Sequence, residues 1–424
     1  MPRALFFPSY FGLGFGHISR SLPVAGELAA QGWHVAFVLS GPHRDAARQA
    51  GFSIYEPRYP SRVRLQPLEG PAYTYIPDSS FQALRDGFTH PAKLRAAVAE
   101  AMLFLGRFKP DVLVGDLSLL TWIVGRKAGL PVVQIIRSMM HPYAPELIWW
   151  EQPPEGMQAP DIHPVFDPLL EKWGLPGICQ AEDLFLGDLY LIPGIPELDP
   201  LPADTPDTVY TGPLLRRVDG SSQSLFPETS QPKVYITLGG GAGPVGSRHF
   251  FETLNQAFST QRWTGLVSTG RRFQLSSLPP APQNLSYRQW VPGLEAIRQA
   301  DLVVFHGGYG TTMETVHFGK PSLVLPFHTE QEANGRRLEQ HSAACVLSPA
   351  GEKSTLMLVQ RRWRFGLYAY WIQPENPLQP EQLRSSIETI LISPKYKQGA
   401  ESLQNSIRNT LGPVEAAHRI KNLV

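Results

Sequence analysis

The chain has 424 residues, of which 42% are hydrophobic and 18% charged, and its formal net charge is +1. This length exceeds that of one ordinary domain, so we expect two, and the near-neutral charge gives no indication of a nucleic-acid partner. The two cysteines lie far apart in the sequence, which excludes a disulfide framework and fits a reducing compartment. The first residues read as a strand and no apolar stretch approaches about 18 residues, so we predict a cytoplasmic protein without a signal peptide or transmembrane helix.

The first half of the chain alternates apolar strands with amphipathic helices, as parallel sheets with right-handed crossovers do. Strand patterns lie at 4–7, 34–39, 111–115, 132–136 and 189–192, and helix patterns at 18–30, 91–107 and 118–128. We expect the strand at 189–192 to be the last of this sheet. Two long segments, 58–80 and 141–180, are rich in proline and aromatic residues, including Trp149 and Trp150. Such segments are predicted to be functional loops.

A polar stretch rich in serine and proline follows, and then the alternation restarts. The strand patterns of the second half lie at 234–238, 264–268, 284–287, 302–305 and 322–325, with a helix pattern at 247–258. We therefore predict two doubly wound α/β domains, Rossmann-like with parallel sheets, over residues 1–215 and 233–395. Residues 216–232 are interpreted as a linker and hinge. Residues 396–424 are predicted to be helices that pack back towards the first domain.

The unit at residues 301–331 organises the second half. Its apolar strand at 302–305 runs into the glycine turn His306–Gly310, and a helix follows from about Thr311 until Gly319 ends it. Free backbone N–H groups at the start of that helix, together with its dipole, form a site for an anion. The glycines allow a bulky anion to approach the backbone closely. We therefore predict that a nucleotide diphosphate binds at this turn.

Other candidate residues also follow predicted strands. His17 comes after the first strand, Asp116 directly follows the strand at 111–115, and the glycine turn Gly239–Gly241 follows the strand at 234–238. Ligands of open parallel sheets bind at the carboxyl ends of the strands. If the two domains face each other across a cleft, these residues and the turn at 306–310 converge on one site.

The spaced pattern in the second half resembles the donor-binding signature of the family-one glycosyltransferases of GT-B fold, which include macrolide, plant natural-product and glucuronosyl transferases. The residues that carry it are Trp290, Val291, Pro292, His306, Gly308, Thr311, Glu314, Gly319, Pro321, Pro326, Glu330 and Gln331. Residues 14–38 also resemble the first βαβ unit of that family. One departure is Gly293, which stands where many members have glutamine. The resemblance implies the GT-B fold, with an acceptor-binding first domain and a donor-binding second domain.

The resemblance also implies a role for each matching residue. The base of the donor would contact Trp290 and Val291, and its ribose would contact Glu314. The sugar hydroxyls would contact Glu330 and Gln331. The diphosphate would be bound by Thr237, Gly239, His306, Gly308, Gly310 and Thr311. His17 would be the general base, oriented by Asp116. The implied reaction is inverting, metal-independent transfer of a hexose from a UDP- or dTDP-sugar to a hydroxyl of a bulky or apolar small molecule. No metal site and no cofactor beyond the donor are implied.

Several of these residues have simpler interpretations. Glu314 ends the segment TTME, which matches a Ser/Thr-x-x-Glu capping box. Asp116 could cap the following helix, Trp290 could be a core aromatic, and His17 could merely open a helix. Arg20 could meet a phosphate or be solvated.

Two alternative functions stay open at this point. The basic and aromatic segment at 351–376 is either a packed hairpin or a contact with a membrane surface or lipid-like acceptor. The second case predicts a peripheral membrane enzyme that forms glycolipids or lipid precursors. The other alternative is a nucleotide-sugar 2-epimerase on the same fold, whose glycine–glutamate signature HGGYGTTME does not match. A nicotinamide-dependent oxidoreductase is disfavoured because His17 displaces the third glycine of G-x-G-x-x-G.

Overall fold

The computed structural model describes residues 1–10, 14–41, 43–58, 72–76, 78–144, 155–216, 224–239, 248–270, 273–349, 355–375 and 378–424. Predicted features that lie outside these residues are Trp149, Trp150, Gly240, Gly241, much of the segment at 58–80, residues 217–223 of the linker, and residues 351–354 and 376 of the insertion. In the part of the chain that is described, no helix is both long enough and apolar enough to cross a membrane.

The first domain is built on a parallel sheet of seven strands. The strands of this half are β1 (Arg3–Pro8), β2 (His34–Val38), β3 (Ser53–Tyr55), β4 (Tyr73–Thr74), β5 (Val112–Asp116), β6 (Val132–Ile135), β7 (Leu189–Ile192) and β8 (Thr208–Tyr210). All except β4 belong to the sheet, in the order β3-β2-β1-β5-β6-β7-β8. The expectation that β7 is the last strand was wrong, because β8 pairs beside it. With three half-buried residues, β8 is too short to show an apolar pattern.

Helices cover both faces of this sheet. They are α1 (Gly16–Ala30), α2 (His43–Gln49), α3 (Ser80–Asp86), α4 (Pro91–Phe108), α5 (Thr121–Ala128) and α6 (His163–Lys172). The helix α4 shows why such segments are helical, since Leu94, Val98, Ala101 and Leu105 recur every three or four residues and are buried. The segment at 141–180, predicted to be a loop, contains α6. Two of its prolines lie within α6. Because proline is typical of loops, the helical spacing of the buried residues was not recognised in the sequence.

The second domain is built on a parallel sheet of six strands. They are β9 (Lys233–Thr237), β10 (Thr264–Ser268), β11 (Leu285–Arg288), β12 (Leu302–Phe305), β13 (Ser322–Val324) and β14 (Ala344–Val346), in the order β11-β10-β9-β12-β13-β14. Its helices are α7 (Arg248–Phe258), α8 (Gly293–Gln299), α9 (Tyr309–His317), α10 (Thr329–Gln340), α11 (Pro380–Ile392) and α12 (Pro394–Ile407). The two parallel Rossmann-like sheets confirm the predicted fold class.

The last helix returns to the first domain. This helix, α13 (Pro413–Leu423), packs against α1. Its Ala416, Ala417 and Ile420 are fully buried in the apolar cluster on one face of the first sheet. Preceding it, α12 packs against α9. The chain therefore passes between the domains twice, and its last helix forms part of the core of the first domain.

Both sheets reverse their strand order at one point, and the candidate residues lie there. In the first sheet the order turns between β1 and β5, where Pro8 pairs with Asp116. In the second it turns between β9 and β12, where Thr237 pairs with Phe305. At such a switch point the two crossover helices lie on opposite faces of the sheet, which leaves a crevice outside the carboxyl ends of the strands. Each domain thus provides one crevice to the site.

A hairpin from the second domain reaches into the first. It consists of β15 (Met357–Trp363) and β16 (Gly366–Gln373), and β16 also pairs with β4 in an antiparallel sheet of three strands. One face of the hairpin carries Tyr368 and Tyr370, which both make edge contacts with Phe81 of α3. The packed hairpin, one of the two alternatives for this segment, is confirmed. It packs between the domains, which the sequence pattern alone did not predict.

Residues 155–158 of the first domain pair with the edge of β16 that does not pair with β15. Ala369 and Gln158 exchange two backbone hydrogen bonds, of 2.9 and 2.8 Å, and the Trp371 indole N–H donates to the carbonyl oxygen of Glu155 at 2.7 Å. Ala369 is 3% exposed, whereas Leu367, on the same face, is 43% exposed. The hairpin is therefore held between two segments of the first domain.

We expect Ala369→Arg to release the hairpin, because a long charged side chain would replace a methyl group at a position that is 3% exposed. Local disruption of this size costs about 1–3 kcal/mol, so chymotrypsin should cut the hairpin about ten-fold faster while the rest of the fold stays intact. Leu367→Arg is the matched control, since it adds the same side chain to an exposed position on the same face. Equal cleavage of the two variants would show that the hairpin is not held there.

Candidate active site

A histidine and a carboxylate come together at the first switch point. His17 lies in the first turn of α1, and Asp116 ends β5. Nδ1 of His17 lies 2.8 Å from Oδ1 of Asp116, and the carboxylate is 1% exposed. Because a carboxylate only accepts hydrogen bonds, this contact favours the tautomer with the proton on Nδ1. Nε2 then carries the free lone pair of a side chain that is 25% exposed.

Arg20 is the third member of this cluster, and the sequence did not predict it. Its Nε donates to Oδ2 of Asp116 at 2.6 Å, and a second guanidinium nitrogen donates to Oδ1. The same nitrogen lies 3.0 Å from Nδ1 of His17. The expectation of a solvated side chain for Arg20 was wrong, because the residue is 8% exposed and paired with the carboxylate, whereas its contact with a phosphate stays a prediction. It lies one helical turn after His17, and that spacing is the only signal in the sequence.

Electrostatics keep Asp116 ionised. Burial by itself raises the pKa of its carboxyl group, but the positive charge of Arg20 and the contact with His17 outweigh burial, so the pKa is lowered overall. An ionised carboxylate at this place can stabilise an imidazolium that forms when His17 takes up a proton. The alternative role of Asp116 as a cap of the next helix is not observed, since α5 begins at Thr121 and has no side-chain cap.

The two glycine turns of the second domain enclose one imidazole ring. Gly239, after β9, has a φ of +69°, and a Cβ atom there would collide with the ring of His306. A Cβ on Gly308 would collide with the same ring from another side. The ring also stacks on Phe327, with 5.6 Å between the ring centroids. Glycine is therefore required at both positions by close packing around His306.

The environment of His306 keeps its imidazole neutral. Burial lowers the pKa of His306 to about 4, with a smaller contribution from His328, and Glu330 opposes the change. Its Nδ1 is buried and has no hydrogen-bond partner among the described residues. A buried nitrogen without a partner costs about 1–3 kcal/mol, so a ligand that binds it would relieve that cost. In the free protein His306 can offer a hydrogen bond but not a full positive charge.

The helix α9 begins with free donors. Gly308 is its N-cap, and the first backbone hydrogen bond of the helix runs from the Thr312 N–H to the carbonyl oxygen of Gly308 at 3.0 Å. The N–H groups of Tyr309, Gly310 and Thr311 precede it, and among the described residues none has a backbone acceptor. A Cβ at Gly310 would meet no atom within 4 Å, so this position borders open space. The free donors expected at this helix start are therefore present, and their binding of an anion stays a prediction.

Glu314 is not part of a capping box. The N-cap of α9 is Gly308, three residues before Thr311, and no side chain caps the helix. The capping alternative is therefore wrong, and the carboxylate of the half-buried Glu314 has no hydrogen-bond partner among the described residues. Burial raises the pKa of its carboxyl group to about 7. An acceptor held in this state is suited to bind ligand hydroxyls, which would satisfy it.

The remaining donor-site candidates differ in exposure. Trp290 follows β11 and is 63% exposed, so it is not a core aromatic, whereas Val291 is 3% exposed. Gln331 is 5% exposed, and its side-chain oxygen accepts a hydrogen bond from the Phe327 N–H at 3.1 Å. Its role at a sugar hydroxyl stays a prediction, with only its amide nitrogen left for that contact. Thr237 is half-buried, and its hydroxyl lies 3.3 Å from the Gly239 N–H.

Glu330 connects the two crevices. Burial raises the pKa of its carboxyl group, but His328 and Arg137, followed by His17 and Arg20, outweigh burial and lower the pKa overall. His17 and Arg20 belong to the first domain, so the two switch points lie within electrostatic range of each other. The helices α1 and α9, which begin at the two crevices, are also in contact. The predicted convergence of His17 on the glycine turn His306–Gly310, which we call the donor turn after its predicted ligand, is therefore present.

Near the histidine, the first domain contains a small apolar cavity. It lies at the carboxyl ends of β1 and β2, and Phe88, Phe104, Tyr10 and Glu100 are among its lining residues. Ser9 also lines it, and the Ser9 N–H donates to the carbonyl oxygen of Asp116 at 2.9 Å. The cavity is thus one residue away from the carboxylate that holds His17.

Comparison with known proteins agrees with this architecture. The family model for the "Glycosyltransferase family 28 C-terminal domain" matches residues 271–358, which include the glycine turn. The chain is similar to NDP-glycosyltransferase YjiC of Bacillus subtilis (strain 168), with 24% identity over 331 residues that cover 77% of this chain and 80% of the relative. It is also similar to demethyllactenocin mycarosyltransferase of Streptomyces fradiae, with 25% identity over 428 residues that cover 96% of this chain and 84% of the relative.

Among solved structures, the fold is similar to that of spinosyn rhamnosyltransferase SpnG complexed with thymidine diphosphate. The TM-score is 0.65 at 20% identity, with 100% of both chains covered. The same protein complexed with the spinosyn aglycone gives a TM-score of 0.65 with 99% of both chains covered.

The two facing parallel sheets, the nucleotide-type turn and these matches identify the chain as a glycosyltransferase with the GT-B fold. The similarity to these glycosyltransferases supports the resemblance of the donor signature to the family-one enzymes.

We expect Glu314→Gln to remove a pH dependence of stability. A carboxyl group whose pKa rises from 4.5 to about 7 on folding stabilises the fold fully below pH 4.5 and loses that contribution as the pH rises through 7. Between pH 5 and pH 8, the free energy of unfolding of the unsubstituted protein should fall relative to that of the variant, by up to about 3 kcal/mol. Urea denaturation measures this difference.

The control for this experiment is Glu388→Gln, which removes a carboxylate from an exposed position on α11. It should show the same pH dependence as the unsubstituted protein. If Glu314→Gln also leaves the pH dependence unchanged, the carboxyl group at this position does not have a raised pKa.

Proposed function

We propose that this glycosyltransferase transfers a hexose, with inversion, from a UDP- or dTDP-sugar to a hydroxyl group of a bulky, apolar small molecule. The observation that carries the proposal is the pairing of His17 with the buried Asp116 between an apolar cavity and the donor turn. Nε2 of His17 takes the proton from the acceptor hydroxyl as its oxygen attacks the anomeric carbon. Asp116, kept ionised by Arg20, stabilises the imidazolium that forms.

The donor is bound by the second domain. The names of two similar proteins support a nucleoside diphosphate, since one is an NDP-glycosyltransferase and the other was solved with thymidine diphosphate. On this chain, the exposed ring of Trp290 is positioned to stack on the base, and Glu314 to accept hydrogen bonds from the ribose hydroxyls. Glu330, held on the side of the cleft that faces His17, is placed for a sugar hydroxyl.

The leaving diphosphate gains negative charge as the glycosidic bond to it breaks. The N–H groups of Tyr309, Gly310 and Thr311 and the dipole of α9 stabilise that charge, together with a hydrogen bond from the neutral His306. Because these donors belong to the fixed backbone, they require little reorganisation during the reaction. We therefore propose that the transfer needs no metal ion.

The acceptor is proposed to bind in the apolar cavity of the first domain. Phe88 and Phe104 supply apolar surface, and Glu100 provides a polar group at the wall. Two similar proteins support such an acceptor, since SpnG was solved with the spinosyn aglycone and another relative is a demethyllactenocin mycarosyltransferase.

The lipid-acceptor alternative is less well supported by this chain. The aromatic residues that suggested a membrane contact have other partners, because Tyr368 and Tyr370 pack on Phe81 and the Trp371 indole bonds to Glu155. The exposed arginines of the hairpin remain, and Met357, Leu358 and Leu367 are exposed apolar residues on the same hairpin, so the support for a membrane contact is reduced to these residues. We therefore propose a peripheral membrane contact only as the second candidate.

We expect His17→Ala to lower the rate of transfer by about 10²–10⁴-fold, the usual contribution of a general base. The substrates for this test are UDP- and dTDP-hexoses with a panel of apolar hydroxylated acceptors. Nucleoside diphosphate binding should be unchanged, because the base lies on the other domain, and Asp116 keeps its ion pair with Arg20. His249→Ala, at an exposed position on α7, is the matched control. Unchanged turnover of His17→Ala would exclude His17 as the base.

We expect excess EDTA to change the transfer rate by less than about two-fold, because the helix start and His306 take the place of a cation at the diphosphate. Added magnesium or manganese should have equally little effect on the enzyme after dialysis against chelator. An activity that disappears with EDTA and returns with one of these ions would disprove metal independence.

A further inference from the structure

A buried ion pair lies behind the donor turn. Arg137 follows β6, at the carboxyl end of the first sheet, and Asp199 lies in the segment between β7 and β8. Nε of Arg137 lies 2.7 Å from Oδ1 of Asp199, and the two side chains are 3% and 0% exposed. Both residues belong to the first domain. Taking two charges out of water costs several kcal/mol per ion unless every polar atom finds a partner.

The buried ion pair finds these partners in the second domain. The first of them is Tyr309, at one end of the donor turn. The Tyr309 hydroxyl lies 2.6 Å from Oδ2 of Asp199, to which it donates. The guanidinium carbon of Arg137 lies 3.7 Å from the centroid of the Tyr309 ring, in a cation–π contact. Burial, followed by the nearby Asp199, raises the pKa of Tyr309 well above its ordinary value, so its hydroxyl remains a donor.

The other end of the turn is reached through Asn334. Arg137 donates to the side-chain oxygen of Asn334 at 2.7 Å, and the Asn334 amide donates to the carbonyl oxygen of Gly307 at 2.7 Å. Arg137 also lies 3.7 Å from the Glu330 carboxylate. Polar contacts and the backbone between Gly307 and Tyr309 thus form a closed ring. We call it the interdomain ring, and its members are Arg137, Asp199, Tyr309, Gly307 and Asn334.

The interdomain ring holds the turn at a point where the backbone is constrained. Gly307 has a φ of +85°, and a Cβ there would collide with the carbonyl oxygen of Gln331. Between Gly307 and Tyr309 lies Gly308, the N-cap of α9. The ring therefore holds the two residues that flank the cap, and the N–H groups proposed to bind the diphosphate follow directly.

A buried ion pair can often be replaced by apolar residues without loss of stability, so stability alone does not explain its presence here. We propose that Arg137 and Asp199 are positioning residues for the donor diphosphate: from the acceptor-binding domain, they hold the turn of the donor-binding domain so that its N–H groups converge on the phosphates. This inference rests on the proposed function, since it assigns a role to residues behind the proposed diphosphate site. The donor turn then takes its binding conformation only when the two domains are docked.

The test uses two variants that open the interdomain ring without removing a charge. Tyr309→Phe removes the hydroxyl and keeps the aromatic ring, and Asn334→Ala removes the link to Gly307. Tyr210→Phe is the matched control, because the Tyr210 hydroxyl donates to the backbone oxygen of Asp199, outside the ring. For each protein, dissociation constants for UDP, dTDP, uridine and thymidine are measured by calorimetry or competition, and folding is checked by thermal unfolding.

We expect both ring variants to bind the diphosphate that the unsubstituted protein prefers about ten-fold more weakly, with the nucleoside affinity unchanged. A misdirected set of N–H groups affects only the phosphates, whereas the base and ribose are held elsewhere. The control should match the unsubstituted protein for both ligands. Unchanged diphosphate affinity in Tyr309→Phe and Asn334→Ala, or an equal loss for nucleoside and diphosphate, would overturn the inference. If the unsubstituted protein binds none of the four ligands, the proposed function itself fails.

Discussion

The carboxylate of Asp116 is the constraint on which the catalytic half of the site depends. It ends a strand in the middle of a sheet and is 1% exposed, so its charge must be compensated locally. Arg20 and His17 supply that compensation from the first turns of α1. The position of the proposed base is therefore a consequence of satisfying a buried charge. The same contacts leave Nε2 of His17 as its free nitrogen, which is the state that a general base requires.

Parallel topology brings the other half of the site to the same place. The second sheet also reverses its strand order once, between β9 and β12, and both glycine turns leave the sheet there. Gly239 and Gly308 then enclose His306, and the start of α9 provides the N–H donors. Two crevices of this kind face each other. In the proposed reaction, one domain removes the proton and the other stabilises the leaving group.

The sequence predicted the parts of this arrangement that depend on neighbouring residues. Buried strands, glycine turns and helix starts are local patterns. The two sheets, the candidates His17 and Asp116, and the donor turn could therefore be predicted from the sequence. Arg20, Arg137 and Asn334 were missed because their roles are defined by partners 96, 62 and 197 residues away. A polar residue just after a buried strand was the signal for Asp116, and Arg137, just after β6, carries the same signal. The hairpin could be predicted, but its docking against Gln158 could not.

The contacts between the domains bear on how the donor enters. Separating the domains as rigid bodies about a hinge would break the interdomain ring, the pairing of β4 with β16 and the bonds between Ala369 and Gln158. Each such hydrogen bond contributes about 1 kcal/mol, and Arg137 would lose buried partners. Trp290, by contrast, is 63% exposed without any opening. If the base binds on Trp290 as proposed, the donor can therefore enter from solvent and meet a turn that is already held in place, without separation of the domains.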